Sequence, residues 1–464
     1  MTLVSGAASM TIGQSGTSGT VSGATQNSAD VTLAIAMTVA GPISVYGGTI
    51  TSNASQITTV AGAAVLLKAT QDIVLGNGTN STTTNSLVAN GNGAVTLWSN
   101  ADASGSGAIQ VGDYTRLTSS GGAITLAGGS TATESSPTGS AINNGSTYAT
   151  GVLIGITSQS SNSVISSGGG SVLIKGYSNN NGAWSNGVTV TRGSNLNSGT
   201  GTITITGTSD GNTNATGSAG VQISSGSGDF ASLIDSTNTT SSAISITGTN
   251  TGGTGTSQYG TYLSSDVATI AQVRATGTGG FTSITGTTTA SGTSYGLLIK
   301  RSNIAGNTGL TLNGGKGLGF DSYASNGGNQ VGSVGFGCSG PVTLQGDTIT
   351  FATTTTYFDC TGALILESAT QNSFSGAQTL SSSNLSFSNF ASFRWGKTSN
   401  TSSMTMSAPI STTGNIEIYG SNISLTKNLT TSATAGSILL KATGDISTSG
   451  GLSGTPVALQ TKAG

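Results

Sequence analysis

There is no histidine in this chain, and its 464 residues include only 13 Lys or Arg and 15 Asp or Glu. The commonest general base and metal ligand is therefore missing, and no Ser–His or Cys–His nucleophile can be assembled. Charged residues make up 6% of the chain, against roughly a quarter in an ordinary soluble domain. A net charge of −2 gives no electrostatic footprint for nucleic acid or for an anionic membrane. Proline is scarce at 5 residues, so nothing reads as a proline-rich linker. No apolar run reaches the about 18 residues of a membrane-spanning helix. The opening stretch, MTLVSGAASMTIGQSG, lacks the basic and apolar regions of a cleavable signal peptide. The expectation is an export route not written here, or a piece cut from a longer protein.

What the chain does have is glycine, 74 residues of it, and a hydrophobic share of 34%. Together these approach a globular figure. A core is within reach, and it is the charged surface that Ser, Thr and Asn have replaced. Such a composition could belong to a disordered linker, but alternation opposes that. GTITITGT (Ile203, Ile205), SAISITGT (Ile244, Ile246), NIEIYG (Ile416, Ile418) and NISLT (Ile423, Leu425) place apolar residues two apart between Gly or Asn turns. That is the period of a strand with one buried face.

Internal repetition sets the architecture. Strands recur near Leu126, Ile174, Ile205, Ile246, Ile284 and Leu312, at uneven intervals that are widest between Leu126 and Ile174 and narrowest between Ile284 and Leu312. After most of them comes a variable loop, then a second strand opening on Gly151, Gly187, Gly220, Gly260 or Gly296. A weaker third segment often follows, as around Leu233 and Ile270. Fixed strands with elastic loops suit a solenoid, in which each turn stacks on the last and insertions bulge outward at corners. A longer repeat lies over this one. Shifting the chain so that Ile43 falls on Ile416 sets ISVYGGTITSNASQITTVAGAAVLLKATQDI on IEIYGSNISLTKNLTTSATAGSILLKATGDI without a gap, and residues 28–73 match 401–446. The repeating module thus runs from Ile43 to Asn415 before it begins again. The expected domain organisation is one continuous β-solenoid over 1–464, cut from a longer tandem array.

Units such as GSILLKATGDI, GNIEIYGSNISL and GGAITLAGG resemble the repeats of filamentous-haemagglutinin-type large bacterial exoproteins and related giant β-strand-repeat adhesins. The resemblance implies an all-β, right-handed parallel β-helix, with three strands per coil and variable corner loops. It implies an extracellular or bacterial cell-surface location and a structural or adhesive role in attachment, biofilm or filament formation. The partners it implies are surface glycans or a receptor on a host or neighbouring cell, flanking repeats of the same chain, and lateral copies. At roughly 20 to 30 residues per coil and about 4.8 Å per coil, the chain would make about 15 to 22 coils in a rod on the order of 75 to 105 Å long.

Few residues stand out as sites. Cys338 and Cys360 are separated by close to one coil. They can form a disulfide across adjacent turns or stand as two stacked, buried thiols. Trp98 has the parity of Thr96 and is expected outward, while Trp184 lies in the loop NNNGAWSNG. Either can stack on a sugar ring, and corner packing is the plainer reading. Leu385, Phe387, Phe393 and Trp395 share one strand face expected in the core, with Phe390 and Arg394 opposite. Lys68, Lys175, Lys300 and Lys441 all end apolar strands, either as a basic stripe or as solvated edge lysines. The carboxylates Glu134, Glu367 and Glu417 are isolated, and Asp347 with Glu367 is the pair to inspect first. No catalytic, cofactor or metal site is expected.

Three function classes follow. The first is the structural and adhesive rod. The second is a carbohydrate-binding or carbohydrate-active β-helix, such as a polysaccharide lyase or phage tailspike, which needs clustered carboxylates or basic residues in one cleft. The third is an ice-binding solenoid, suggested by Thr-x-Thr strands and opposed by their irregular spacing.

Overall fold

A strand of alternating apolar and small polar residues buries one face only, so it needs further faces closing around the same core. The computed structural model describes residues 7–461 apart from 15–27, 77–84, 104, 132–149, 156–162, 180–183, 211–216, 226–230, 253–256, 266–268, 291–293, 322–327, 333–336, 353–355, 382, 384, 433 and 435. Glu134 falls outside the described residues. Among them there is no helix, and each sheet takes every third strand in chain order. The result is a parallel β-solenoid with three strands per coil.

The first sheet runs unbroken through sixteen strands, from Met10–Ile12 to Val457–Gln460. At about 4.8 Å per strand this is a stack on the order of 70 Å. The second has eleven strands, Val31–Leu33 to Ile349–Phe351, and the third twelve, Met37–Val39 to Leu385–Ser388. A four-stranded sheet beginning at Gln378–Ser381 and a three-stranded one beginning at Ile410–Thr412 follow them. The column expected from spacing forms a single ladder in which Leu126, Ile174, Ile205, Ile246, Ile284 and Leu312 pair in turn. All six are fully buried. The strands opening on Gly151, Gly187, Gly220, Gly260 and Gly296 are successive rungs of the second sheet.

Small polar residues serve the corners. Ser119, Ser198 and Ser236 are buried, and their hydroxyls donate to the carbonyls of Gly93, Gly201 and Gly201 at 2.7, 2.7 and 2.8 Å. Corner carbonyls with no ladder partner are thus satisfied. Glycine serves the corner between the first and second sheets, where the two backbones touch. A Cβ on Gly207 would lie 2.0 Å from the Gly220 carbonyl oxygen, and Gly176 against Gly187 and Gly248 against Gly260 are equally close. Beyond this pinch both strand sets run on as a narrow fin around buried Ser209, Ser218 and Asn250. There Ser209 Oγ donates to the Ser185 carbonyl at 2.7 Å and Asn250 Nδ2 to the Ser218 carbonyl at 3.1 Å.

The second and third faces each break once, at successive coils, between Ile349–Phe351 and Gln378–Ser381 and between Leu385–Ser388 and Ile410–Thr412. At the first break the Gln378 side-chain oxygen accepts the Ile349 N–H at 3.2 Å. At the second, the Thr413 N–H donates to the Phe390 carbonyl at 3.2 Å. The core turns aromatic here: Phe320 stacks on Phe351 at 5.1 Å and Phe358 on Phe387 at 5.8 Å, with Phe393 and Trp395 buried. Phe390, expected outward, is buried as well. Asn389 before it takes φ of 65°, a left-handed turn that breaks the strand alternation.

The long repeat is visible as geometry. Ile43–Gly47, Ile50–Ser52, Gln56–Thr58, Val65–Ala69 and Ile73–Leu75 have counterparts at Ile416–Gly420, Ile423–Leu425, Leu429–Thr431, Ile438–Ala442 and Ile446–Thr448, all at the one shift that carries Ile43 to Ile416. Ile43, Ile50, Ile73, Ile416 and Ile423 are buried, while Ile446 is half-buried against the core because no described rung covers it.

Candidate functional site

On the outer face of the second sheet, one outward column reads Gln222, Tyr262, Leu298, Gly319 and Thr350 along adjacent coils. Beside it Tyr259 pairs in register with Tyr295. The Tyr259 and Tyr262 rings stack at 4.6 Å. Gly319 has no side chain to hold Tyr295 off: a Cβ there would come within 2.9 Å of that ring. Tyr295 therefore lies across the next coil and reaches the one beyond, where its hydroxyl accepts from Thr350 Oγ1 at 3.2 Å, 55 residues away in sequence. Tyr259, Tyr295, Leu298, Gly319, Asp321 and Thr350 are among the residues lining a cleft of about 390 Å³. At its margin Lys300 Nζ is 3.6 Å from the Asp321 carboxylate. Burial chiefly pushes the Tyr259 phenol above its ordinary range. The Ser257 hydrogen bond lowers it, and the neighbouring Tyr295 and Asp321 raise it further.

Neither tryptophan lines this cleft. Trp98 is half-buried and faces outward on the first sheet, with its Nε1–H donating to the Gly129 carbonyl at 2.7 Å and Lys68 Nζ 4.1 Å from the ring centroid. Lys68 is also in register with Tyr46, and Lys441 with Tyr419, so the Tyr–Lys pair recurs with the long repeat. Burial lowers the Lys68 pKa. Trp184 sits at the fin corner with its six-membered ring over Gly217, where a Cβ would come within 2.6 Å. It borders the patch formed by Ala219, Tyr262 and Leu298.

The remaining candidates are separated. Cys338 and Cys360 are joined by a disulfide that ties successive corners between the third and first sheets. The four strand-end lysines do not form one stripe, since Lys300 is on the second sheet and the other three are on the first. Asp347 and Glu367 take separate partners: Asp347 accepts the Thr370 N–H at 2.8 Å, and Glu367 binds Arg394 at 2.8 Å and Gln345 at 3.0 Å. Among the described residues no group of three or more Cys, Asp or Glu could hold a metal ion, and no helix is long and apolar enough to cross a membrane.

The tyrosine cleft escaped the sequence reading, although a signal was present. YGTYLS and YGLLIK both put Tyr directly before the strand-opening Gly, in consecutive units. Both also place an apolar residue, Tyr262 or Leu298, at the outward position where GVTVT and GVQIS carry Thr189 and Gln222.

Fold and cleft together define a class, the parallel β-solenoid repeat proteins. Compared with known proteins, the chain matches no family model, no curated protein and no solved structure. The parallel, coil-by-coil architecture agrees with the fold that the resemblance implied.

Proposed function

We propose that this chain is a structural and adhesive rod of a bacterial cell-surface or secreted exoprotein, in which length and repetition are the function and binding is carried on the outer faces. The observation that carries this reading is the first sheet, sixteen strands in unbroken register, with a strand order begun at Ile43 that returns at Ile416. Such a body is built to extend. The disulfide between Cys338 and Cys360 fits an oxidising compartment, and a sparsely charged exterior rich in Ser, Thr and Asn suits contact with glycans or with parallel copies of the rod. The test is to coat beads with the purified chain and measure their attachment to bacterial and epithelial cell surfaces, with rod length read by electron microscopy. Compact particles, or coated beads that attach no better than uncoated ones, would refute it.

One observation favours a second reading. Thr204, Thr206 and Thr208 stand in register with Ser245, Thr247 and Thr249, and these with Ser283, Thr285 and Thr287. Irregular spacing in sequence had counted against ice binding, yet the loops absorb it and the hydroxyls fall into columns. Thermal hysteresis that Thr247→Lys abolishes would favour this reading over adhesion.

A further inference from the structure

We infer that the cleft between Tyr259 and Tyr295 is a binding site for a neutral saccharide, one pyranose ring of which lies against the tyrosines. The inference rests on the adhesive reading above and gives it a ligand class.

Three features select that class. First, the walls are amphipathic. Two half-buried phenol rings and Leu298 offer surface for the C–H face of a sugar, while Tyr295 Oη, Thr350 Oγ1 and the Asp321 carboxylate offer partners for its hydroxyls. Sites of this composition, apolar walls with a few placed polar groups, are the usual form of a small-molecule pocket, and about 390 Å³ lies in their size range. Second, the cleft is close to electrically neutral, because the one carboxylate among its described lining residues, Asp321, is paired with Lys300 at 3.6 Å. A sulfated or uronic saccharide would meet that carboxylate with no spare cation in the lining, and a nucleic acid would do the same with every phosphate. A wholly apolar peptide would cover the Asp321 and Thr350 oxygens while offering no donor to their remaining lone pairs. Third, the surface is preformed. Tyr259 is held by its stack on Tyr262, and Tyr295 by Gly319 beneath it and Thr350 beyond it. Little side-chain freedom is left to lose on binding, which favours affinity.

The site also depends on the coil stack. Its two tyrosines are neighbours only because their strands, from consecutive units, are adjacent rungs, and Thr350 reaches Tyr295 from two coils further on. Stacking successive rungs therefore creates it, which is how a repeat protein can carry one specific site on a low-complexity surface.

The experiment uses the full chain and reads binding in solution by titration calorimetry. The probes are neutral oligosaccharides of glucose, mannose, galactose and N-acetylglucosamine, with heparin as the acidic comparator. At least one neutral oligosaccharide is expected to bind and heparin is not. Tyr295→Ala and Leu298→Trp, the first removing a wall and the second filling the cleft, should each weaken binding by about tenfold or more. Trp98→Ala, on another face, should not. Tyr295→Phe keeps the ring and should retain most of the affinity, which separates lost stacking from misfolding. No binding by any neutral probe, preference for heparin, or affinity unchanged in both Tyr295→Ala and Leu298→Trp would overturn the inference. Because these titrations involve no cell, they stand apart from the bead test. Adhesion that survives Leu298→Trp leaves the rod reading intact and removes the cleft from it.

Discussion

Replacing Gly207 by Ala tests the pinch between the first and second sheets. The added methyl would sit 2.0 Å from the Gly220 carbonyl oxygen and 2.7 Å from its carbon, both inside any real Cβ contact. The obstacle is backbone on a neighbouring sheet, so no rotamer change can relieve it, and the strands must move apart. Overpacking in a tight interior costs about 1–3 kcal/mol, and an immovable partner places Gly207→Ala near the upper end, about 3 kcal/mol. Some of this is offset because alanine restricts the unfolded chain, a gain of about 0.4–1 kcal/mol where the native backbone accepts it. Gly376→Ala is the matched control: nothing lies within 4 Å of its added methyl and its φ lies outside the left-handed region. It should be neutral or slightly stabilising. Urea unfolding followed by circular dichroism measures the difference. Hydrogen exchange locates it, since coils touch only their neighbours and lost protection should centre on the rungs Val172–Ser178, Ile203–Ser209 and Ile244–Asn250. Equal midpoints for the two variants, or protection lost evenly along the rod, would refute the backbone-contact argument.

Other perturbations give equally direct readings. Reducing the disulfide, or changing Cys338 and Cys360 together to Ser, should cost about 3 kcal/mol for a 22-residue separation. Thiol titration of the denatured, unreduced chain should find no free sulfhydryl, and two would contradict the bridge. Burial holds the phenols of Tyr177, Tyr259 and Tyr419 above the ordinary value of 10.0. A raised folded pKa gives stability that is complete below pH 10 and lost as pH climbs through the folded values, so phenolate absorbance should show a late class missing after unfolding. All 10 tyrosines titrating together in the folded chain would oppose this. Burial likewise raises the Asp72 carboxyl, against the Ala108 N–H it accepts at 2.7 Å, and Asp30 raises it further. The protonated form is therefore favoured on folding, and at neutral pH the charge is a liability. Asp72→Asn keeps the acceptor and should raise the urea midpoint near neutral pH, a gain that disappears below the ordinary 3.8; a lower midpoint at neutral pH would count against it.

How much of this was legible depends on whether a feature is local. The Ile203–Ile205 and Ile244–Ile246 alternation is local, and it gave strands, inward faces and the ladder from Leu126 to Leu312. The glycine that opens five successive second-sheet strands, from Gly151 to Gly296, was also plain, although its reason, contact with backbone of another sheet, was not. Phe390 was misread because parity carries only within a strand, and Asn389 ends that strand. The tyrosine cleft was missed for a larger reason. Tyr259, Tyr295, Asp321 and Thr350 come from four rungs, and their juxtaposition depends on coil register, which the variable loops hide from a reader of spacing. The same concealment made the threonine columns look irregular.

The two breaks in the sheets have a mechanical consequence. Ladder hydrogen bonds in this solenoid run along the rod axis, so a pull on its ends loads successive coil steps in series, and the weakest step sets the rupture force. At most steps three sheets share the load side by side. Between Phe351 and Gln378, and again between Ser388 and Ile410, two sheets bear it. The covalent tie from Cys338 to Cys360 lies one step before the first of these. Under tension the rod should therefore yield first at this segment, as a fuse, while the coils on either side stay wound.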